Sequence, residues 1–229
     1  MKKLMARMAG FKALVKKYGE PISKEEYKDL FLYAQERNIK LSEFKHFVGD
    51  TGIIKQVIDD ILPIAKDFPL IIEGRKGIVL ELDYSMGTDF ATAMFGHIIH
   101  LNGAYFSNLE MLITEYDNAV SENRFVQGTT WRSIIRHELG HIVANKYNIK
   151  PMQVAKILLE TNSNLRVLEI LADELSLYST EYPDGREIIS EAFSGYYSNA
   201  DNEFAKKFVK YILSEMEIIE KEDDNYETL

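Results

Sequence analysis

Residues 129–147 read TTWRSIIRHELGHIVANKY, and this stretch carries the clearest structural pattern in the chain. Ile135, Leu139 and Ile142 recur at helical spacing, which predicts one helix face turned toward a hydrophobic core. Either threonine at the start of the stretch is a suitable N-cap. The sequence therefore predicts an amphipathic helix around which the other elements can be arranged.

The opposite face of this predicted helix carries two histidines. His137 and His141 are one helical turn apart, so both imidazoles can reach a single metal ion. Glu138 is displaced to one side of that ion, where a general base can take a proton from a metal-bound water. This H-E-x-x-H arrangement is typical of zinc peptidases. Gly140 costs a helix about 1 kcal/mol relative to alanine, which predicts that another backbone approaches closely at this point.

A catalytic zinc site needs a third protein ligand and keeps a fourth position for water. The chain has no cysteine, and its three other histidines all lie upstream of the predicted helix. A downstream carboxylate is therefore the better candidate. Two helical segments offer carboxylates one turn apart, Glu169 with Asp173 and Glu187 with Glu191.

The rest of the sequence predicts helices, then a small sheet, then helices again. Ser23 and Glu26 form a capping-box pattern at the start of the first helix. The strand GIVLELDY alternates between apolar and polar residues, which is typical of a half-buried strand. This order indicates an α+β fold with a small mixed sheet. The predicted helices cover residues 23–37 and 51–66, and the predicted strands cover residues 77–84 and 96–106.

Composition excludes several classes of partner. The chain has 229 residues and a formal net charge of -9, which opposes a broad phosphate-binding surface and excludes nucleic acid as a main partner. No apolar run approaches the roughly 20 residues that span a bilayer, so no integral membrane segment is predicted. Arg7 and Lys12 interrupt the apolar stretch at the basic N-terminus. We therefore expect no signal peptide and a cytoplasmic location.

The two ends of the chain differ in charge. Residues 1–17 carry six positive and no negative charges with apolar residues at helical spacing, which predicts a basic amphipathic helix. Residues 215–227 are rich in carboxylates and predict a frayed tail. We expect a helical N-terminal region over residues 1–68, a catalytic domain over 69–217 and an acidic tail over 218–229.

The motif HELGH at residues 137–141 is followed by YSTEYPDGREIISEAFSGYYS at residues 178–198. This combination resembles the catalytic domain of the anthrax lethal factor-like zincins. That group includes secreted Pro-Pro endopeptidases and domains found beside phage minor head proteins. The segments IIHLNGAYF and FVQGTTWRSII are also similar to the phage-associated members. The resemblance covers residues 70–216 and implies a zincin-like metallopeptidase fold.

The resemblance implies a zinc-dependent endopeptidase and assigns a role to each site residue. Glu187, the first glutamate of the family's E-x-x-x-E-A-F helix, would complete the zinc site with His137 and His141. Glu191 would orient a ligand, and Glu138 would be the catalytic base. The implied partners are a protein or peptide substrate and phage or mobile-element proteins, with delivery by a non-classical route or with a phage particle.

The family also has a tyrosine that donates to the developing oxyanion. Here it corresponds to Tyr178 or Tyr182, and Tyr178 is favoured because LSLYS fits the family's local pattern. In zincins of this kind the substrate lies extended along an edge strand, for which the segment at residues 96–106 is the candidate. The residues expected to pair with the substrate backbone are Asn102, Gly103 and Ala104.

Two other functions fit parts of the same sequence. HELGH followed by the E-x-x-A-D segment at residues 169–173 resembles regulatory zincins that act on mobile-element repressors, and this assignment makes Glu169 the third ligand. Alternatively, the chain is a non-catalytic zinc-binding module of a phage particle that keeps a zincin fold as a scaffold.

Overall fold

The structure is a computed structural model that describes residues 15–73 and 77–226, with side chains described as far as residue 216. The basic helix predicted over residues 1–17 lies outside the described residues, except for its last three. The helices are α1 (Lys24–Gln35), α2 (Thr51–Asp67), α3 (Gly103–Phe106), α4 (Leu109–Ser121), α5 (Ser133–Lys146), α6 (Pro151–Leu158), α7 (Asn164–Glu174), α8 (Arg186–Tyr197) and α9 (Glu203–Tyr226). The strands are β1 (Lys40–Ser42), β2 (Val79–Asp83), β3 (Ala91–Met94) and β4 (Ile98–Asn102).

The four strands form one mixed sheet in the order β1-β2-β4-β3. Strands β1, β2 and β4 are parallel, and β3 is antiparallel to β4. Leu80 and Leu82 of β2 are buried, while the residues between them are half-buried, as the alternation in the sequence predicts. The structure therefore confirms an α+β fold with a small mixed sheet.

The prediction that residues 96–106 form an edge strand is wrong. Strand β4 lies between β2 and β3, so the edge on this side belongs to β3. Asn102 is buried, accepts a hydrogen bond from the amide of Ala104 and donates to two loop carbonyls. Gly103 lies against the ring of Tyr84, which a Cβ atom would approach to 2.7 Å. Asn102, Gly103 and Ala104 therefore stabilise the end of the strand and offer no open edge.

Two of the predicted helices form with the expected caps. Ser23 and Glu26 make both hydrogen bonds of the capping box at the start of α1. Helix α2 begins after Asp50, whose side chain accepts a hydrogen bond from the amide of Gly52. Its eight buried residues place α2 in the core.

Helix α5 forms where the sequence predicts it, but with a different start. Its apolar stripe consists of Ile135, Leu139 and Ile142, each of which is at most 1% exposed. The prediction that Thr129 or its neighbour caps the helix is wrong, because the helix begins at Ser133. The hydroxyl of Thr129 instead contacts that of Tyr116 at 2.9 Å and donates to the carbonyl of Val126.

A buried carboxylate on α2 ties the N-terminal part of the chain to α5. Asp60 is 4% exposed and accepts two hydrogen bonds from Arg132, at 2.7 and 2.8 Å, and one from Arg136. Arg136 also donates to the hydroxyl of Ser198, the C-cap of α8. One polar network therefore joins α2, α5 and α8.

The predicted division of the chain into three regions stays a prediction. Strand β1 comes from the N-terminal region, for which the sequence predicts only helices, and it pairs with β2. Helix α9 continues to Tyr226 through most of the segment predicted to be a frayed tail. Within residues 15–73 and 77–226, no helix is both long and apolar enough to cross a membrane.

Candidate metal centre

Helices α5 and α8 bring three potential metal ligands together. The Nε2 atoms of His137 and His141 lie 3.2 and 3.1 Å from Oε2 of Glu187. One ligand atom from each residue lies within 4.8 Å of the other two, and this group could hold a metal ion. The structure thus brings together the two histidines of H-E-x-x-H and the glutamate that the family resemblance assigns as third ligand.

The close approach of α8 to α5 depends on Gly140. A Cβ atom at this position would lie 2.7 Å from Cα and 3.0 Å from the amide nitrogen of Ser190 on α8. Real Cβ atoms do not tolerate such distances from backbone, so any larger residue would push the two helices apart. The structure therefore confirms the close backbone approach that the sequence predicts at Gly140.

The spacing of the three ligand atoms suits a shared metal ion better than direct hydrogen bonds between the side chains. Oε2 of Glu187 is buried and has no hydrogen-bond partner, although both imidazole nitrogens are near it. Zinc with bonds of about 2.0–2.1 Å in a tetrahedral site separates its ligand atoms by about 3.3 Å. The observed separations of 3.1 and 3.2 Å agree with that geometry. Two imidazoles and one carboxylate are also a donor set that zinc accepts.

The electrostatics of the site favour a bound cation. Burial alone would lower the pKa of His137, but the carboxylates of Glu187 and Glu191 outweigh burial and raise it to about 10. Burial alone would raise the pKa of Glu187, but His137 and His141 lower it to about 2. Glu187 is therefore ionised at neutral pH, and positive charge is drawn to the space between it and the imidazoles.

Glu191 holds His137 in the orientation that metal binding requires. Its Oε1 lies 2.8 Å from Nδ1 of His137, and its Oε2 accepts a hydrogen bond from the amide of Val126. Glu191 is only 1% exposed. A histidine that donates from Nδ1 to a carboxylate keeps a lone pair on Nε2 for a metal. Glu191 therefore lies where the family resemblance expects an orienting carboxylate.

Glu138 lies between the metal group and the edge strand β3. It is 7% exposed and lines the same cavity as the three ligands. Its Oε2 accepts a hydrogen bond of 2.6 Å from the amide of Ala93 on β3. Its carboxylate is thus fixed beside the ligand group without belonging to it, which is the placement that a general base needs.

The two candidate tyrosines, Tyr178 and Tyr182, have different surroundings in the structure. The ring of Tyr178 lies 5.6 Å from that of His137, and its amide donates to the carbonyl of Arg124. Within the described ranges its hydroxyl makes no hydrogen bond. Burial raises the pKa of Tyr178, and Glu187 adds to the shift, so the hydroxyl keeps its proton at neutral pH. Tyr182 is 37% exposed and lies beneath the guanidinium of Arg186.

The rival carboxylates lie elsewhere. Glu169 and Asp173 are exposed on α7, and Glu169 pairs with Arg166 at 3.3 Å. Neither belongs to the group that could hold a metal ion, nor does either line the cavity beside it. The structure therefore gives the assignment of Glu169 as third ligand no support.

A cavity of about 820 Å³ opens beside the ligand group and is lined by β3, α4, α5 and α8. Sequence analysis missed the contribution of β3, since Ala93 acts through its backbone amide and carries no side-chain pattern. Comparison of the chain with protein-family models, curated proteins and solved structures finds no match. The functional interpretation therefore depends on the geometry of this site.

Proposed function

We propose that this protein is a zinc-dependent endopeptidase with a zincin-like fold of the lethal factor-like type. One observation carries the proposal: a buried carboxylate oxygen of Glu187 without a hydrogen bond lies 3.1–3.2 Å from both imidazole nitrogens of an H-E-x-x-H helix. Glu138, Tyr178 and an open cavity beside this group supply the remaining parts that peptide hydrolysis needs. Phage or mobile-element partners stay a prediction of the resemblance.

Zinc held by His137, His141 and Glu187 would supply Lewis acidity, lowering the pKa of water and polarising the scissile carbonyl. Glu138 takes a proton from the attacking water and then passes it to the leaving amine. The hydroxyl of Tyr178 donates a hydrogen bond to the carbonyl oxygen as negative charge develops on it. Glu191 keeps the His137 ring fixed throughout.

The open side of β3 is the place where we expect the substrate to bind. In the antiparallel pair of β3 and β4, the backbone amide of Asn102 donates to the carbonyl of Phe90. Every second residue after Phe90 therefore faces β4, and the residues between them point their backbone groups away from β4. These residues are Ala91 and Ala93. The Ala93 amide is used by Glu138, and the Ala91 carbonyl already accepts a hydrogen bond from the hydroxyl of Thr92. The Ala91 amide, the Ala93 carbonyl and the second lone pair of the Ala91 carbonyl can pair with an extended peptide.

Replacement of the base tests the proposal. We expect the zinc-loaded wild-type protein to cleave members of a proteome-derived peptide library, with cleavage sites read by mass spectrometry. Glu138→Gln should lower turnover roughly 10²–10⁴-fold, because the amide cannot accept the water proton, while the zinc content stays unchanged. Glu169→Gln, which alters an exposed glutamate outside the cavity, is the matched control and should retain full turnover.

Two results would contradict the proposal. The first is a zinc-loaded wild-type protein that cleaves no peptide in the library. The second is a Glu138→Gln variant that cleaves at the wild-type rate, since another residue would then have to accept the proton. Equal losses in Glu138→Gln and Glu169→Gln would likewise show that the effect does not come from the site.

A further inference from the structure

The cavity beside the metal group extends toward the start of β3, where aromatic rings line it. Phe90 and Tyr105 pack edge to face with ring centroids 4.7 Å apart, and Tyr116 and Phe125 stack at 5.3 Å. Phe125 also packs against Tyr178 at 5.6 Å. The aromatic end, as we call Phe90, Tyr105, Tyr116 and Phe125, therefore continues directly from the proposed oxyanion donor.

Two carboxylates line the same part of the cavity. Asp89 directly precedes Phe90, and Glu115 on α4 directly precedes Tyr116. Neither side chain forms an ion pair with another described residue. Burial raises the pKa of Tyr105, and the negative charges of Glu115 and Asp89 raise it further. Both carboxylates are exposed, and their charges reach the hydroxyl of Tyr105.

The hydroxyl of Tyr105 is a polar group without a partner at this end. Tyr105 is 9% exposed and lines the cavity, yet its hydroxyl makes no hydrogen bond within the part of the chain that the structure describes. The buried side-chain atoms of described residues that lack a hydrogen bond belong to other residues, so this oxygen is open to solvent in the cavity. This oxygen is therefore available to a donor that enters the cavity.

We infer that the aromatic end is the subsite for a basic side chain, lysine or arginine, of the peptide substrate. The inference rests on the proposed endopeptidase function. Cations are attracted to the faces of aromatic rings, and the carboxylates of Asp89 and Glu115 supply the opposite charge. The oxygen of Tyr105 accepts a hydrogen bond from an ammonium or guanidinium group.

Two arginines line the cavity, and because Arg186 is paired with Asp184, Arg124 is the one that would favour the opposite preference. It lines the cavity, and its side chain forms no ion pair with the described residues. Arg124 directly precedes Phe125, and its carbonyl accepts a hydrogen bond from the amide of Tyr178, whereas the charges that act on Tyr105 are those of Glu115 and Asp89. Two carboxylates against one guanidinium make this end negative, which excludes an acidic side chain from the expected substrate.

The direction in which the substrate binds determines which side of the scissile bond reaches the aromatic end. Antiparallel pairing, the more stable kind, runs a peptide along β3 from the Met94 end toward the Ala91 end. Asp89 and Phe90 lie just beyond Ala91. The basic side chain is therefore the one on the carboxyl side of the scissile bond.

Cleavage specificity tests this inference directly. In the peptide library, sites cut by the zinc-loaded wild-type protein should be enriched in lysine or arginine at one fixed position on the carboxyl side. The double variant Asp89→Asn/Glu115→Gln should lower kcat/KM for such peptides roughly 3- to 30-fold, because the basic side chain loses two ionic contacts that solvent partly screens. Matched peptides with norleucine at that position should be cut equally by both proteins.

The control is Asp117→Asn, which removes one exposed carboxylate from the same helix outside the cavity. It should keep the wild-type preference. Enrichment of acidic residues, no enrichment at all, or an equal loss in Asp117→Asn would each overturn the inference.

A binding measurement separates failure of the subsite from failure of the proposed function. If the wild-type protein cleaves nothing, NMR titration with Nα-acetyl-arginine amide and Nα-acetyl-norleucine amide still measures the preference. We expect the arginine amide to bind about five- to tenfold more tightly, and the double variant to abolish that difference. Equal affinity for the two amides in the wild-type protein would overturn the inference.

Discussion

Helices α7 and α8 carry the same sequence pattern and place it in opposite surroundings. Glu169 and Asp173 on α7 are one turn apart and exposed, whereas Glu187 and Glu191 on α8 are one turn apart and 5% and 1% exposed. The exposed pair is solvated, with one ion pair to Arg166. The buried pair must be compensated by hydrogen bonds or positive charge, and the histidines of α5 lie where that compensation is needed.

The difference between the two helices comes from the residues around the carboxylates. Helix α7 buries only Val167 and Leu171, a single narrow stripe. Helix α8 buries nine consecutive residues, Glu187 to Gly195, so its carboxylates have no solvent-facing side to turn toward. A helix that is buried on all sides must pair every charge that it carries. Spacing alone therefore cannot identify a ligand, but spacing within a fully buried helix can.

The largest expected effect is on metal binding, which a substitution on α8 should abolish and a matching substitution on α7 should leave unchanged. Removing a direct ligand should cost more than the 10- to 100-fold loss typical of an outer residue, so Glu187→Ala should lower zinc affinity by more than about 100-fold. Glu169→Ala should bind one zinc per chain, as the wild-type protein should. Metal content by mass spectrometry, after zinc loading and dialysis, checks both variants.

Glu187→Gln accompanies this pair as a variant that keeps the volume of the side chain, and circular dichroism verifies that each variant is folded. Zinc retained in both α8 variants and lost in Glu169→Ala would reverse the comparison and restore the regulatory assignment.

The second carboxylate of each helix gives a smaller contrast. Glu191→Gln keeps a hydrogen-bond acceptor for the amide of Val126 but removes the negative charge beside His137. We expect zinc affinity to fall about 10- to 100-fold, measured by competition with a chromophoric chelator. Asp173→Asn should leave the affinity unchanged. If the two variants bind zinc equally well, Glu191 does not orient the histidine.

Gly140 offers a contrast in stability. In an ordinary helix, replacing glycine with alanine gains about 1 kcal/mol. Here Gly140→Ala should instead destabilise the protein by about 1–3 kcal/mol, because its Cβ would overlap the backbone of Ser190. Ala172→Gly on α7 should show the ordinary sign and cost about 1 kcal/mol. Urea unfolding gives both values, and a more stable Gly140→Ala would show that α5 and α8 are less closely packed.

The smallest effect concerns the cap of α7. The hydroxyl of Ser163 accepts a hydrogen bond from the amide of Arg166, so Ser163→Ala should cost about 1 kcal/mol in the free energy of unfolding. Its zinc affinity should equal that of the wild-type protein, because α7 contributes no ligand. A fall in zinc affinity with this variant would show that α7 supports the site after all.

The parts of the molecule that follow from side-chain patterns were predictable. The capping box of α1, the buried stripe of α5 and the alternation in β2 each require particular residues at fixed spacing, and each forms as predicted. The two histidines and Gly140 belong to the same class, because helical periodicity alone determines their positions. Glu187 needed the resemblance as well, since Glu169 satisfies the same spacing.

The parts that depend on the backbone were not predictable. Strand β3 reads ATAM, with little β-branched or aromatic content, so its sequence gives no clear strand pattern. Strand β1 has only three residues. Because β3 has no clear pattern, the sequence predicts an edge strand at residues 96–106, whereas β4 lies inside the sheet. Thr129 is a plausible cap in sequence, but its hydroxyl instead contacts that of Tyr116 on α4, and such a contact follows only from the tertiary structure.

The network around Asp60 limits how this protein can be divided. A fragment of residues 69–229 would keep every candidate ligand but would lose the carboxylate that holds Arg132 and Arg136 at the back of α5. Arg132 is 39% exposed and can be hydrated, but Arg136 is 13% exposed and would lose its buried partner. Such a loss costs at most about 3–5 kcal/mol, which is a large part of the roughly 5–15 kcal/mol that stabilises a domain. We therefore expect that residues 69–229 cannot be transplanted as a free-standing module: grafting or trimming must carry α2 along.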